Sequence, residues 1–399
     1  MPMKILTFTT LYPDAARPRH GIFVENRIRE LSKTAGLSVR VVAPRPWFPF
    51  SAPLFRDYSK FALVPRLEVR HGIAVHHPRY PLFPKIGMNA APILMYYGVR
   101  GTIQRLIAGG GEFDLIDAHY FYPDGVAAVM LGLHFRKPVT ITARGSDLNV
   151  MTQYPLPRRM IRWAAQGAAG LVTVSAALAE GLVKLGIARE RVSVLRNGVD
   201  LTLFCPGDRA ICRADLGLEG LVLLSVGNLV PIKGHELTIE ALTYLPGARL
   251  LIVGDGPERS SLQKLAKSLS VADRIAFLGS IPQDALPNIY AAADVLVLAS
   301  RLEGWPNVLL EAMACGTPVV VSDIPGMSEI VKSPAVGRLV AERTPRSFAR
   351  TVLQIVQDAP SRITIRRYAE DFGWAATTEG QLTLFRSILQ RDGLDKKMG

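Results

Sequence analysis

Short apolar segments alternate with longer amphipathic ones along almost the whole chain. Runs of Val, Ile and Leu without polar alternation predict parallel strands buried on both faces. The predicted strands are 4–10, 37–43, 114–118, 138–143, 170–175 and 191–195 in the first half, and 221–226, 248–253, 274–278, 294–299, 318–322 and 337–340 in the second. Predicted helices between them include 22–34, 234–245, 257–269, 307–315 and 344–357. This alternation predicts an α/β protein with two doubly wound, Rossmann-like parallel sheets.

The length agrees with two domains, because 399 residues exceed one ordinary core. Residues 197–217 show little regular patterning and contain Pro206-Gly207, so we place the junction there. We therefore predict an N-terminal domain over 1–200 and a C-terminal domain over 201–375. Ligands of such folds bind at the carboxyl ends of the strands, so a cleft between the two sheets is the expected site.

A proline-rich stretch over 44–87 interrupts the alternation. Its aromatic residues stand among arginines and lysines, a pattern that suits either insertion into a membrane interface or a structured flap. The aromatic residues are Trp47, Phe48, Phe50, Phe55, Tyr58, Phe61 and Phe83. The predicted helix 156–168 is a second candidate membrane surface, with basic and apolar side chains side by side: Arg158, Arg159, Met160, Ile161, Arg162 and Trp163.

Charge is distributed unequally between the two halves. Residues 1–200 carry 26 Lys and Arg against 13 Asp and Glu, whereas the remainder carries 21 of each. This points to an anionic partner for the first half, either a membrane surface or a phosphate-bearing acceptor, the alternative being a solvated basic surface. Zinc-ligand spacing and RNA-binding motifs are missing, so nucleic acid is not expected.

Composition also bears on the compartment. Cys205, Cys212 and Cys315 form no CxxC pair, and no apolar run reaches the roughly 18 residues that span a bilayer. The opening residues favour a first strand over a signal peptide. We expect a cytoplasmic protein, peripheral at the inner face of the membrane.

The strongest chemical signal lies in residues 300–318, SRLEGWPNVLLEAMACGTP. This segment follows a predicted buried strand and enters a helix near Asn307, and the positive end of a helix suits a diphosphate. Glu303 falls in the loop and Glu311 one turn into the helix, where a carboxylate can accept hydrogen bonds from ribose hydroxyls.

With these two glutamates eight residues apart, the segment resembles the signature of retaining glycosyltransferase family 4, which has the GT-B architecture. The resemblance extends to 226–234, 253–257, 196–200 and 326–330. It implies two Rossmann-like domains facing across a cleft, and a closing helix, about 376–392, that packs back on the first domain.

The resemblance implies a donor site in the C-terminal half. Lys233 would bind the donor diphosphate and act in catalysis with Glu303, and Glu311 would hold the ribose. Asn228 stands where the family usually has Arg, so a second charged contact to the diphosphate is missing. The remaining donor-binding residues are Gly254, Gly304, Trp305, Pro306 and Asn307.

In the N-terminal half the resemblance implies further site residues. Gly21 would let the donor phosphate or the acceptor approach the backbone closely. His119, at the end of a predicted strand, would lie beside the reacting sugar as a catalytic residue. Arg144 replaces a family His on the acceptor side, and Asp147 would either bind a hydroxyl or cap the following helix.

The implied reaction is a retaining transfer from a UDP- or GDP-sugar, without cofactor or metal, to a lipid-linked sugar or polysaccharide. Such a hexosyltransferase would act in lipopolysaccharide, exopolysaccharide or other envelope assembly. Two alternatives remain open: a nucleotide-sugar-binding scaffold without turnover, and a GT-B nucleotide-sugar epimerase, which the Glu303-Gly304-Trp305-Pro306 loop disfavours.

Overall fold

A computed structural model describes residues 2–47, 61–82 and 87–398 of the chain. The chain divides into two compact units. The first is formed by Met1–Arg196 together with Ala375–Gly399, and the second by Asn197–Trp374.

The first unit is built on an eight-stranded sheet with the order β10-β9-β8-β7-β1-β2-β5-β4. Its pairs are parallel except for the edge hairpin β4–β5, and β3 and β6 form a separate parallel pair. The strands are β1 Met3–Phe8, β2 Leu37–Val42, β3 Arg45–Trp47, β4 Leu67–Arg70, β5 Ile73–His76, β6 Arg79–Pro81, β7 Leu115–His119, β8 Val139–Ala143, β9 Gly170–Thr173 and β10 Val192–Val194.

Helices of the first unit cover the apolar faces of its sheet. Their bounds are Ile22–Ser32, Ala91–Ala108, Val126–Phe135, Ser146–Asn149, Pro155–Gly167, Ala176–Lys184 and the C-terminal Trp374–Met398. Phe385 and Ile388 of the last helix join Ile5 and Ile28 in one buried cluster. The C-terminal helix is therefore part of the core of the N-terminal unit.

The second unit has a six-stranded, all-parallel sheet in the order β13-β12-β11-β14-β15-β16. The strands are β11 Val222–Val226, β12 Arg249–Val253, β13 Ile275–Gly279, β14 Val295–Leu298, β15 Val319–Ser322 and β16 Gly337–Val340. The helices are Arg209–Asp215, His235–Ala241, Arg259–Ser268, Leu286–Ala292, Asn307–Ala314, Pro345–Asp358 and Arg362–Glu370. A core of Leu, Ile, Val and Ala side chains lies between sheet and helices.

The predicted α/β class is confirmed, and each predicted strand has a counterpart within one or two residues. The described part of 44–87 interrupts the alternation as predicted, and it has regular structure of its own, since it contains β3, β4, β5 and β6. These strands have only three or four residues each, too few for an alternation to stand out. Trp47 is exposed and Phe61 packs under Arg17, whereas Phe48, Phe50, Phe55, Tyr58 and Phe83 lie outside the described residues.

No helix in the described part of the chain is both long enough and apolar enough to cross a membrane.

Candidate active site

Each sheet has one point where its strand order reverses, between β1 and β7 in the first unit and between β11 and β14 in the second. The loops that leave neighbouring strands there diverge to opposite faces and open a crevice, the usual ligand site of such sheets. The second-unit crevice is bordered by the loops after β11 and β14, which carry Lys233 and Glu303.

Glycines let these loops approach each other. A Cβ on Gly254, after β12, would lie 1.9 Å from the carbonyl oxygen of Gly227, and one on Gly234 would lie 2.1 Å from that of Ala299. Both have positive φ, +139° and +69°. Gly254, predicted to bind the donor, thus has a structural role in joining the loops.

Lys233 and Glu303 form an ion pair across the crevice. The Lys233 ammonium lies 2.6 Å from Oε1 of Glu303, which also accepts a hydrogen bond of 2.8 Å from the Ser300 hydroxyl. The Lys233 side chain is 24% exposed and that of Glu303 10%. A partly accessible cation held by one carboxylate can exchange that partner for a diphosphate.

Glu311 is buried in the helix Asn307–Ala314 and accepts a hydrogen bond of 2.8 Å from the Tyr290 hydroxyl. Burial raises the pKa of Glu311 to about 7. Its carboxyl group is therefore divided between the neutral and charged forms near neutral pH, so a ligand that donates hydrogen bonds can shift its protonation.

The loop between Glu303 and this helix is fixed within the second unit. The Trp305 indole donates a 3.1 Å hydrogen bond to the carbonyl of Asn197, whose side-chain amide donates to Asn307 at 3.2 Å. Pro306 precedes the helix without a side-chain cap, and Gly304 lies against Gly326. This arrangement holds the start of the helix at the crevice.

Asn228 follows the end of β11 and is exposed. Its carbonyl oxygen lies 3.3 Å from Nε2 of the buried His235. The contact fixes the backbone of Asn228, and its side chain stands where a charged residue is expected from the resemblance.

His119, at the end of β7, is fully buried. Its Nδ1 meets the Arg144 guanidinium, and its Nε2 lies 3.0 Å from Oδ2 of Asp117. Because Arg can only donate, Nδ1 must accept, which places the proton of the neutral ring on Nε2. Burial lowers the pKa of His119 to about 4, so the ring is neutral at physiological pH.

Arg144 and Asp147 are also turned inward. Arg144 is 8% exposed and lies over the Phe23 ring at 5.6 Å. Burial lowers the pKa of Arg144 well below the usual value of an arginine. The buried Asp147 carboxylate accepts from the backbone amides of Phe121 and Gly145 at 2.9 and 2.7 Å. These amides precede the helix Ser146–Asn149, which has no side-chain cap, so Asp147 holds the loop ahead of that helix and does not cap it.

Gly21 begins the helix Ile22–Ser32 with φ +74°, and a Cβ there would lie 2.3 Å from the backbone carbon of Leu11. A ligand was predicted to approach the Gly21 backbone closely, but in this structure the backbone of Leu11 occupies that position.

Sequence reasoning missed three residues behind His119: Asp117, Arg27 and Gln381. The Gln381 amide donates to Asp117 at 2.8 Å and accepts from Arg27 Nε at 2.9 Å. An Asp inside an otherwise apolar strand was a usable signal for Asp117. Gln381 gave none, because 264 residues separate it from Asp117.

A cavity of about 550 Å³ opens in the first unit, beyond the ends of β1 and β7. Arg17, Tyr80, Tyr120 and Tyr122 are among its lining residues. One Arg17 nitrogen, Nη2, donates to Asp14 at 2.8 Å, while its buried Nε has no hydrogen-bond partner within the described residues. The cavity thus offers a cation and aromatic walls to a polar ligand.

Known sequences match both halves of the chain. The family described as Glycosyltransferase Family 4 matches residues 21–203, and Glycosyl transferases group 1 matches residues 212–372. TuaC of Bacillus subtilis (strain 168), a glycosyltransferase named for teichuronic acid biosynthesis, is 33% identical over 82% of this chain and 83% of its own. The chain belongs to glycosyltransferase family 4.

Other similar proteins agree in sequence or in fold. The D-inositol 3-phosphate glycosyltransferase of Mycolicibacterium smegmatis is 34% identical over 83% of this chain and 81% of its own. The sucrose-phosphate synthase of Thermosynechococcus elongatus superposes with a TM-score of 0.79 at 21% identity, covering 98% of this chain and all of that one. Anabaena HepE, solved with UDP-glucose, superposes with a TM-score of 0.73 at 20% identity, covering 96% of this chain and all of that one. The predicted GT-B fold is confirmed.

Proposed function

We propose that this protein is a retaining, metal-independent hexosyltransferase that moves a sugar from a UDP- or GDP-sugar to a lipid-linked sugar or polysaccharide acceptor. The observation that carries the proposal is the Lys233–Glu303 pair at the reversal point of the second sheet, with the buried Glu311 one helix turn beyond.

On the donor side, Lys233 exchanges Glu303 for the diphosphate and stabilises the charge of the leaving group. Backbone groups of Gly304 to Asn307 and the start of the following helix lie beside the phosphates. Glu311 accepts hydrogen bonds from the ribose, and Glu303, released from Lys233, contacts the donor sugar. Fixed cations and backbone dipoles thus supply the stabilisation for which other transferases use a metal ion.

On the acceptor side, the cavity lined by Arg17 receives the acceptor, and the Arg17 guanidinium, whose side chain is 23% exposed, suits a phosphate. His119 is enclosed between Asp117 and Arg144, so we propose that it acts as a positioning residue for Arg144 instead of touching the sugar. Arg144 then contributes a fixed positive charge at the end of β8.

Similar proteins support a role in envelope or exported polysaccharide assembly. HepE was solved with UDP-glucose, and TuaC is named for teichuronic acid biosynthesis. WaaG, which superposes with a TM-score of 0.68 at 17% identity, is described as involved in lipopolysaccharide biosynthesis. The basic first half suits an anionic membrane surface, so we place the reaction at the cytoplasmic face of the membrane.

The test is release of nucleoside diphosphate from UDP-, GDP- and ADP-sugars, with and without a membrane lipid extract. We expect lipid-stimulated release from one donor. Lys233→Ala should lower it by roughly a hundredfold, because a cation aimed at the leaving group is lost. Lys264→Ala, which removes an exposed lysine of the same unit, is the control.

Nucleotide-sugar binding without release from any donor would contradict the transferase and favour a binding scaffold. Conversion of the nucleotide sugar to an isomer that keeps its diphosphate would favour an epimerase.

A further inference from the structure

Three helices of the first unit pack in succession: Ala91–Ala108 against Val126–Phe135, and Val126–Phe135 against Pro155–Gly167. We call their solvent-facing side the three-helix surface. These helices contain no Asp or Glu at all. They do contain five arginines, namely Arg100, Arg105, Arg158, Arg159 and Arg162. The three-helix surface is therefore positively charged without compensation from its own residues.

Each of the three helices also exposes large apolar side chains. Five of them are between 41% and 70% exposed: Ile93, Tyr97, Leu133, Leu156 and Trp163. On the last helix Leu156, Arg159 and Trp163 are spaced by three and four residues, which places them on one stripe. Apolar and cationic side chains alternating on one face are typical of helices that lie in a membrane interface.

A cavity of about 530 Å³ opens where the last of these helices meets the end of Ala176–Lys184. Arg158, Arg159, Arg162 and Lys184 line it, together with the exposed Gly186. None of these four cations has an ion pair or side-chain hydrogen bond within the described residues. Among the residues that the structure describes, no acidic one lines the cavity, and Glu180 of the helix Ala176–Lys184 lies 4.0 Å from Arg189.

The sequence around this cavity lacks the acidic residues found in the rest of the chain. The sequence holds no Asp or Glu from 148 to 179, whereas the half beyond residue 200 has equal numbers of acidic and basic residues. Structural arginines of this protein are paired with acceptors, as Arg45 is with Asp14 and with three backbone carbonyls. Four unpaired cations around one cavity have no such structural role.

We propose that this cavity binds the phosphate of an anionic membrane phospholipid and that the three-helix surface is the face of the protein that lies on the membrane. The inference deepens the proposed function, since it rests on a reaction at the membrane, and it assigns the surface and the lipid class. A phosphodiester seated among four cations places Leu156 and Trp163 at the level of the acyl chains and glycerol. A soluble anion would have no use for these exposed apolar side chains.

The test is sedimentation of the full chain with vesicles of phosphatidylcholine, with and without phosphatidylglycerol. We expect binding only to the anionic vesicles. Arg158→Gln, Arg159→Gln and Arg162→Gln together should weaken it roughly a hundredfold, at about fivefold for each charge near an anionic surface. The matched control removes three exposed charges from the second unit by Lys264→Gln, Lys267→Gln and Arg350→Gln.

Equal losses in the two triple variants would overturn the assignment, because binding would then follow net charge alone. Equal binding of the wild-type protein to vesicles with and without phosphatidylglycerol would overturn the anionic lipid as the ligand. In the wild-type background, Trp163→Ser should weaken vesicle binding, whereas Tyr244→Ser, at an exposed aromatic of the second unit, should not. Equal binding by these two variants would contradict insertion of the apolar stripe.

Donor turnover separates this proposal from the proposed function. The arginine triple variant should release nucleoside diphosphate from the donor at the wild-type rate when lipid is absent. Vesicle binding by a wild-type protein that consumes no donor would refute the transferase and leave the surface intact. Donor consumption without vesicle binding would refute the surface alone.

Discussion

At the scale of single residues, the candidate donor site depends on carboxylates in unlike surroundings. Glu303 faces a cation and a hydroxyl, whereas Glu311 is buried with only neutral donors, the Tyr290 hydroxyl among them. Burial explains why the pKa of Glu311 rises to about 7. The protonation of Glu311 is thereby coupled to whatever ligand it holds.

We therefore expect nucleoside diphosphate binding to depend on pH through Glu311. Ribose hydroxyls donate more strongly to the charged carboxylate, so affinity should increase as pH rises through about 7 and level off above it. Because the pKa of Glu311 is higher in the folded protein than in the unfolded chain, its ionisation lowers the free energy of unfolding. This loss of stability is absent below the unfolded pKa and reaches its full size above about pH 7. Calorimetric titration of UDP between about pH 5.5 and 8.5 measures the first effect.

Glu311→Gln should bind more weakly than the wild type at high pH and show a flatter profile, because it cannot ionise. An unchanged profile in this variant would assign the pH dependence to another group.

At the scale of elements, the site depends on loops that meet at the ends of parallel strands. Gly254→Ala should lower the free energy of unfolding by about 2 kcal/mol or more, because its Cβ would overlap the Gly227 carbonyl. Urea denaturation measures this. Gly217→Ala is the control, since Gly217 also has positive φ but open space around it, and we expect about 1 kcal/mol. Equal costs for both would mean that φ, and not the approach of the loops, determines the effect.

The C-terminal helix contributes a buried amide to the first unit. Gln381→Ala would leave Asp117 and Arg27 each without one partner, so we expect a loss of about 2–3 kcal/mol in the free energy of unfolding. Denaturant unfolding followed by circular dichroism checks this. Glu379→Ala, at an exposed position on the same helix, should change it by less than about 0.5 kcal/mol. A small effect at Gln381 would show that water replaces the amide.

At the scale of the whole molecule, the excess positive charge belongs to residues 1–200 alone. Raising the salt concentration from about 0.1 to 0.5 M shortens the screening length, so association with anionic vesicles should fall at least tenfold. The affinity for nucleotide should fall by a smaller factor, because it depends on the Lys233–Glu303 pair in the half beyond residue 200, where acidic and basic residues are equal in number. Vesicle sedimentation and UDP titration at both salt concentrations measure the two losses of affinity. Equal losses would contradict the idea that the basic first half binds the membrane while the second half binds the nucleotide.

Much of the fold followed from local pattern. Buried parallel strands produce uninterrupted apolar runs, so their positions and the α/β class could be predicted. Resemblance to one family pointed to Lys233 through the 226–234 segment and to Glu303 and Glu311 through the 300–318 segment. Short edge strands such as Leu67–Arg70 escaped prediction because four residues carry too little periodicity.

Contacts between distant parts of the chain were decided only by the tertiary structure. Three such contacts join residues 25 or more positions apart in the sequence: Lys233 with Glu303, His119 with Arg144, and Gln381 with Asp117. Sequence alone determined which residues could carry charge or accept a proton. Burial and strand order, which no local pattern encodes, determined which of them meet and which lie within reach of a ligand.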